Sequence, residues 1–222
     1  MSGRVACFGE LLVRLNAPGR ELLLQTPRLD LHIGGAEANV AIGLASLGHD
    51  CAMVSAIPDN ALGRGAVAAV RARGVDCSGV RTMPGRMGLY FMSTGAGSRA
   101  SEIVYDRAGS SFARAKSGDF DWVTLLQGAS LFHLSGIVPA LGPSSVEVAR
   151  QAVRAARAMG VPVSFDGNFR AQLWSAWDSQ PAPILHDLIG HADLLFGNHR
   201  DLSLVLGKSF SGEGEARRRE AA

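Results

Sequence analysis

Cysteine is scarce in this chain of 222 residues, and the three that occur lie far apart. Cys7, Cys51 and Cys77 form no CxxC pair, and the first two lie within apolar, strand-like runs. An odd number of isolated thiols argues against a disulfide framework and a zinc site, and it is typical of a reducing compartment. We therefore expect a cytoplasmic protein.

Long apolar runs and a large charge of one sign are also lacking. No run reaches the roughly 20 apolar residues that a membrane-spanning helix needs. The segment Met1–Val5 is not followed by the apolar stretch of a signal peptide. The net charge is only +2, and the basic residues, nearly all arginine, are spread along the chain. Neither a membrane nor a nucleic acid is therefore expected as a partner.

The familiar phosphate-binding loops are missing as well. The sequence contains no GxxxxGK[ST] and no complete GxGxxG after a strand. Residues 95–98, Gly-Ala-Gly-Ser, look superficially similar, but they lie between two predicted strands, Met87–Thr94 and Glu102–Asp106, and no helix follows. We interpret them as a hairpin turn.

The remaining pattern alternates strands with helices, and 47% of the residues are apolar. Strands are predicted at Val5–Phe8, Cys51–Ile57, Leu131–Leu134, Val161–Phe165 and Leu194–Phe196, and the first two are expected to be buried. Helices are predicted at Glu37–Leu47, Leu62–Arg73, Ser144–Met159 and Ile184–Ile189. This alternation predicts an α/β fold whose parallel sheet is covered on both faces.

Two polar inserts, at about residues 11–33 and 87–113, interrupt this alternation. The first contains short strand-like pieces at Leu12–Leu15, Leu22–Gln25 and Leu29–His32, and the second contains the predicted hairpin. We expect the two inserts to pair into a small sheet apart from the main core.

Adjacent glycines, Gly34 and Gly35, stand where the first insert meets an apolar helix that the sequence predicts to have almost no exposed face. Glycine can adopt φ > 0 and lets a ligand come close to the backbone. The first helical turn offers free N–H groups, and Asn39 can point the same way. The alternative is an ordinary tight turn before a core helix.

Polar residues also follow the later predicted strands. Ligands bind outside the carboxyl ends of strands in parallel sheets, and Asp166, Asn168 and Arg170 follow one such strand. The planar guanidinium of Arg170 suits a phosphate or a carboxylate; the alternative is an Asx turn. Asn198 and Asp201 could hold water or metal around phosphates, or they could cap a helix with Asn198 as the N-cap. His133, within a predicted buried strand, is interpreted as a core histidine rather than a base.

In the second insert, Tyr105 and Arg107 fall on the same face of a strand, and Tyr90 lies on the partner strand. Tyrosines beside an arginine can bind a hydroxylated acid, or they can form a cross-strand pair.

Four motifs together resemble those of the ribokinase-like (PfkB-type) family of carbohydrate kinases, over about residues 4–207. They are Gly9-Glu10, the run GGAEANVA at residues 34–41, HLSGI at residues 133–137, and the pattern DxNxRxxLW at residues 166–174. The combination is most similar to the members that phosphorylate 2-keto-3-deoxygluconate. The resemblance implies a Rossmann-like three-layer α/β/α ribokinase-type fold with a small β-sheet lid formed by the two inserts.

The resemblance also implies roles for residues. The positions that hold the sugar acid are Gly34, Gly35, Asn39, Tyr90, Tyr105, Arg107 and Arg170. The positions around ATP and Mg²⁺ are Asn168, Asn198 and Asp201, with Asp201 where relatives carry Glu. Arg14 stands near the place where many relatives that bind neutral sugars carry Asp, which favours an acidic substrate. The implied partner is a small-molecule sugar acid, with a possible homo-oligomer through the lid.

One expected element is absent from the sequence. The family's GAGD motif carries the catalytic Asp, and no other residue is assigned as the base here. The sequence runs out at Gly212–Ala222, which resembles the opening of another helix. We therefore expect residues 1–222 to form a partial kinase domain without its C-terminal part, inactive alone. The alternatives are another sugar kinase of the family, such as a fructokinase or ketogluconate kinase, and a non-catalytic fragment.

Overall fold

The computed structural model of this chain describes residues 3–208, so the predicted helix opening at residues 212–222 lies outside the described residues. The strands are β1 Arg4–Phe8, β2 Leu12–Asn16, β3 Asp30–Gly34, β4 Cys51–Ile57, β5 Val80–Thr82, β6 Gly88–Ser93, β7 Glu102–Asp106, β8 Ala129–Ser135, β9 Val163–Asp166 and β10 Leu194–Phe196. The α-helices are α1 Ala36–Ser46, α2 Ala61–Arg71, α3 Trp122–Leu125, α4 Pro143–Ala158, α5 Ala171–Trp174, α6 Pro181–Ile189 and α7 His199–Leu206. No helix within residues 3–208 has the length and apolarity to cross a membrane.

The described residues divide into two compact units, and the first comprises residues 3–7 and 116–208. Its strands are parallel, in the order β10-β9-β8-β1. Helix α4 packs against β9 and α6. It buries the predicted stripe of Val146, Ala149, Ala152, Val153 and Ala156. Parallel strands alternating with helices confirm the predicted α/β class.

The second unit comprises residues 8–115. Strand β4 pairs in parallel with β5, and all seven residues of β4 are buried. A strand buried on both faces is typical of a parallel sheet. Helix α1 packs on β4.

The same unit carries a four-stranded sheet in the order β3-β2-β6-β7, which we call the lid sheet. Strand β2 pairs in parallel with β6, so the predicted pairing of the two inserts is confirmed. The hairpin of β6 and β7 is confirmed too. The predicted strand at Leu22–Gln25 is wrong: the backbone turns there, and the Gln25 side chain accepts the Leu22 amide at 2.6 Å. This local bond leaves no extended backbone for pairing.

Helix α1 is less buried than its apolar sequence predicts. Only Glu37, Ala38 and Ala41 are buried along it, and Leu47 beyond its end is 76% exposed. The helix packs on β4 with one side, while Ile42 lines an open groove of about 680 Å³. The prediction of a helix without an exposed face is therefore wrong.

Candidate substrate-binding site

One row of side chains crosses the lid sheet on a single face. In strand order from β3 to β7, the register aligns His32, Arg14, Tyr90 and Tyr105. Side chains aligned on paired strands lie on the same face of a sheet. The ring centroids of Tyr90 and Tyr105 are 6.2 Å apart, so the cross-strand pair, one of the two alternatives for these tyrosines, is present. The row brings two phenols, an imidazole and a guanidinium together.

Arg107 follows β7 and forms a buried ion pair with Glu10, which lies between β1 and β2. Its Nε donates to Oε2 of Glu10 at 2.7 Å, and its Nη2 lies 2.7 Å from the same oxygen. The side chains are only 4% and 1% exposed. Ser110 donates its hydroxyl to Oε1 of Glu10. The guanidinium carbon of Arg107 lies 5.9 Å from the centre of the Tyr105 ring. The ion pair therefore fixes Arg107 beside the tyrosine row.

Two glycines leave the space that Glu10 occupies beside the lid sheet and the start of α1. A side chain at Gly88 would overlap the carboxylate of Glu10, and one at Gly35 would overlap the Glu10 carbonyl oxygen. Gly35 has φ +151 and is the N-cap of α1, where its carbonyl accepts the Asn39 amide at 2.9 Å. Gly34 is buried next to it, and the Asn39 side chain is the nearest group to its Cα substituent position. The three predicted residues of this junction are thus adjacent in space.

The predicted residues around phosphate belong to the other unit. Asn168 has φ +39 and donates its side-chain amide to the Ser135 hydroxyl at 3.2 Å. Its backbone amide donates to Oδ1 of Asp166. Burial raises the pKa of the Asp166 carboxyl, and the nearby charge of Asp201 raises it further. This strand end therefore holds Asn168 in one orientation.

Asn198 and Asp201 form a reciprocal cap at the start of α7. The Asn198 side-chain oxygen accepts the amides of Arg200 and Asp201, and Asp201 accepts the Asn198 amide at 2.8 Å. The predicted helix cap with Asn198 as N-cap is confirmed. Asp201 also accepts the Phe169 amide at 3.3 Å and is buried.

The hydrogen bonds of Asp201 are relevant to the binding of Mg²⁺ at this end of α7. Magnesium is commonly held by one or two carboxylates together with substrate phosphates and water. Each oxygen of Asp201 accepts a backbone amide, which fixes the orientation of this carboxylate. Among residues 3–208, no three side chains of His, Cys, Asp or Glu cluster as a metal site would require.

Arg170 lies in the first unit, immediately before α5. Its side chain is exposed, and its Nη1 donates to the Phe169 carbonyl at 3.0 Å. Its predicted contact with a substrate carboxylate stays a prediction.

His133 is a core histidine, as the sequence indicates. Its Nδ1 lies 3.0 Å from the Ser164 hydroxyl on the neighbouring strand. Burial lowers the pKa of His133 from 6.5 to about 4. The unfolded chain binds this proton more readily than the folded one.

The His133 contribution to stability is therefore full above about pH 6.5 and is lost as the pH falls toward 4. The loss amounts to about 2 kcal/mol between pH 7.5 and pH 5. The test compares urea unfolding of the unaltered chain and His133→Gln at both pH values by tryptophan fluorescence, since all three tryptophans lie in the same unit. Parallel pH dependence in the two proteins would contradict the burial effect.

Sequence reasoning missed the partners of Arg107. Glu10 appears above only as part of a motif, and Ser110 is not among the candidate residues. Glu10 is a lone carboxylate directly after an apolar strand, and a carboxylate buried there needs a partner. That position was the one indication in the sequence of a buried ion pair. The exposed ion pair between Arg86 and Asp106 at the end of the lid sheet was also missed.

The comparisons with known proteins agree with these motifs. The chain matches the family model "pfkB family carbohydrate kinase" over residues 2–222. It is 32% identical over 206 residues to the 2-dehydro-3-deoxygalactonokinase of Haloferax volcanii, covering 93% of this chain and 64% of that protein. It is also 32% identical to the 2-dehydro-3-deoxygluconokinase of Thermoproteus tenax, covering 91% of this chain and 62% of the relative. The chain thus spans less than two thirds of the length of these relatives.

A solved structure gives the same result. The crystal structure of 2-dehydro-3-deoxygluconokinase from Thermotoga maritima superposes with a TM-score of 0.90 at 39% identity, covering 98% of this chain and 67% of that one. The predicted fold class is confirmed by this similarity. From the family match along nearly its whole length, this chain belongs to the pfkB family of carbohydrate kinases.

Proposed function

We propose that this chain is the sugar-binding part of a kinase that transfers the γ-phosphoryl group of ATP, with Mg²⁺, to 2-keto-3-deoxygluconate, the sugar acid also called 2-dehydro-3-deoxygluconate. The main observation in support is on the lid sheet, where Tyr90 and Tyr105 lie in one row beside guanidinium groups. The two 32% identical relatives are named for closely similar sugar acids.

The proposed roles follow from the chemistry of these groups. Phenol groups donate and accept hydrogen bonds, so Tyr90 and Tyr105 contact hydroxyl groups of the sugar acid. The Gly34-Gly35 backbone allows the sugar to come close, and Asn39 contacts a hydroxyl group through its amide. Arg107 contributes an N–H donor that Glu10 leaves unused.

In the reaction, a hydroxyl oxygen of the sugar acid attacks the γ-phosphorus. The bond from that phosphorus to the oxygen bridging to the β-phosphorus breaks, ADP leaves, and the hydroxyl proton passes to a base. Such catalysis depends chiefly on positioning and charge stabilisation. Residues of this chain supply the positioning of the acceptor.

The test of acceptor class is calorimetric titration of the chain with 2-keto-3-deoxygluconate, its C4 epimer 2-keto-3-deoxygalactonate, and fructose. We expect both acids to bind at least about tenfold more tightly than fructose, a difference of roughly 1.4 kcal/mol. Tighter binding of fructose would overturn the proposed acceptor and favour the fructokinase alternative.

A second expected result concerns turnover. The family base is expected in a GAGD motif, which this sequence does not contain. Loss of a general base lowers rates by about 10²–10⁴-fold. We therefore expect no sugar-dependent ADP release from the 222-residue chain above this reduced level. Turnover close to that of an intact relative would show that another residue acts as the base.

A further inference from the structure

The carboxylate of Glu10 lies over the face of the lid sheet that carries the tyrosine row. A side chain at Gly88 on β6 would overlap Oε1 of Glu10. Gly88 and Tyr90 are two residues apart on the same strand, so their substituent positions lie on one face. The buried pair of Glu10 with Arg107 is therefore on the same face as the Tyr90 ring, next to it along β6.

Glu10 contacts one edge of the Arg107 guanidinium. Nε and Nη2 of Arg107 both lie 2.7 Å from Oε2 of Glu10. A guanidinium is planar and carries five N–H donors in a fixed arrangement. Holding this edge therefore also fixes the direction of the second edge, which Nη1 and Nη2 form. The plane of the Glu10 carboxylate thus sets the direction in which Arg107 offers its remaining donors.

Ser110 fixes the plane of that carboxylate. The last torsion of a glutamate side chain has broad minima, so contacts at Oε2 alone leave the carboxylate able to rotate. The Ser110 hydroxyl donates to Oε1 of Glu10 and accepts the Ala113 amide at 3.1 Å. Because a hydroxyl has one proton, the bond from Ala113 leaves that proton for Glu10. Both oxygens of Glu10 are thereby held.

The backbone that carries Ser110 is anchored separately. The Ser110 amide donates to the Arg107 carbonyl at 3.1 Å, and the Ser111 amide donates to the Arg86 carbonyl at 2.9 Å. The Ser111 hydroxyl donates to the Met83 carbonyl at 3.3 Å. Two adjacent serines, each 1% exposed, therefore donate their hydroxyls to different acceptors, the first to the ion pair and the second to the backbone.

We propose that Ser110 is a positioning residue for the sugar acid: through Glu10, its hydroxyl directs the guanidinium of Arg107 toward the ligand. This inference rests on the proposed function, in which Arg107 donates an N–H to the acid. Donors that are already oriented lose less conformational freedom when the ligand binds. Removing the Ser110 hydroxyl should therefore weaken the contact of the acid with Arg107.

The experiment uses two ligands that differ only at C1. 2-Keto-3-deoxygluconate carries a carboxylate there, and 3-deoxyfructose carries a hydroxymethyl group. Binding by calorimetry and the melting temperature are measured for the unaltered chain, Ser110→Ala and the matched control Ser111→Ala. The pair Ser110→Thr and Ser110→Val is added, because threonine and valine have nearly the same shape and differ in the hydroxyl group. Their comparison isolates the hydroxyl even where the added methyl group disturbs packing.

We expect Ser110→Ala to weaken binding of the acid by about 5- to 20-fold and binding of the neutral sugar by less than about twofold. Ser111→Ala also loses a buried hydroxyl hydrogen bond, so it should lower the melting temperature by a similar amount while it keeps both affinities. Ser110→Thr should bind the acid at least about fivefold more tightly than Ser110→Val.

The possible outcomes separate the positioning role from the proposed function. If the unaltered chain prefers the acid, but Ser110→Ala keeps its affinity or Ser110→Thr and Ser110→Val bind the acid equally, the positioning role is overturned and the proposed function stands. Equal losses of acid affinity in Ser110→Ala and Ser111→Ala would also overturn it, because Ser110 would then act only on stability. If the unaltered chain binds neither ligand, or both equally, the proposed function fails and the positioning role fails with it.

Discussion

Glu10→Ala is expected to destabilise the second unit by about 3–5 kcal/mol, because it leaves the Arg107 charge buried without its partner. The side chains of this pair are 4% and 1% exposed, so water cannot replace the lost carboxylate without rearrangement. The Ser110 hydroxyl also loses its acceptor. Far-UV circular dichroism during urea unfolding is the suitable measurement, since the tryptophans all lie in the other unit.

Two further variants make this result specific. Glu102→Ala removes an exposed carboxylate from β7 of the same sheet and should change stability by less than about 0.5 kcal/mol. The double variant Glu10→Leu with Arg107→Met replaces both charges by apolar groups and should recover much of the loss. A loss below about 1 kcal/mol in Glu10→Ala would mean that the ion pair is not maintained in solution.

Gly35→Val is expected to have the second large effect. Gly35 has φ +151, which a β-branched residue strongly disfavours, and its side chain would overlap the Glu10 carbonyl oxygen. Backbone strain and overpacking together should lower the free energy of unfolding by about 2–5 kcal/mol. Sugar-acid binding should be lost as well, because the start of α1 must move.

Gly43→Ala is the matched control for this change. Gly43 lies in the same helix with open space around its Cα substituent position. Alanine there should leave stability unchanged or raise it by about 0.5–1 kcal/mol. If Gly35→Val loses stability but keeps its affinity for 2-keto-3-deoxygluconate, the glycine pair is an ordinary turn and not part of the site.

Local sequence patterns predicted those parts of the fold that are determined by residues close together in the chain. Strand β4 is apolar except for Ser55, and it is buried throughout as expected. Gly48 and Gly74 end their helical regions with φ +87 and +83, as expected for left-handed caps. The N-cap of α7 at Asn198 was likewise one of the two alternatives that the local sequence indicated for this residue.

What sequence reasoning could not predict depends on contacts between distant residues. Glu10 and Arg107 are 97 positions apart, and nothing local to either one identifies the other. The alignment of Arg14 with Tyr90 requires the register of two strands that are not consecutive in the chain. The exposure of α1 depends on what covers its outer side, which its own sequence does not specify. Candidate site residues could therefore be named, but their charge state and neighbours could not.

The most direct test of the proposed sugar-acid site uses the fact that the chain contains only two tyrosines, Tyr90 and Tyr105. Ring-¹³C tyrosine labelling then gives NMR signals that report on the lid face alone. We expect titration with 2-keto-3-deoxygluconate to shift the signals of both rings along one saturable curve, with smaller shifts for fructose. Saturable binding by calorimetry while neither tyrosine signal moves would contradict the central claim that the lid face of this carbohydrate kinase chain binds the sugar acid.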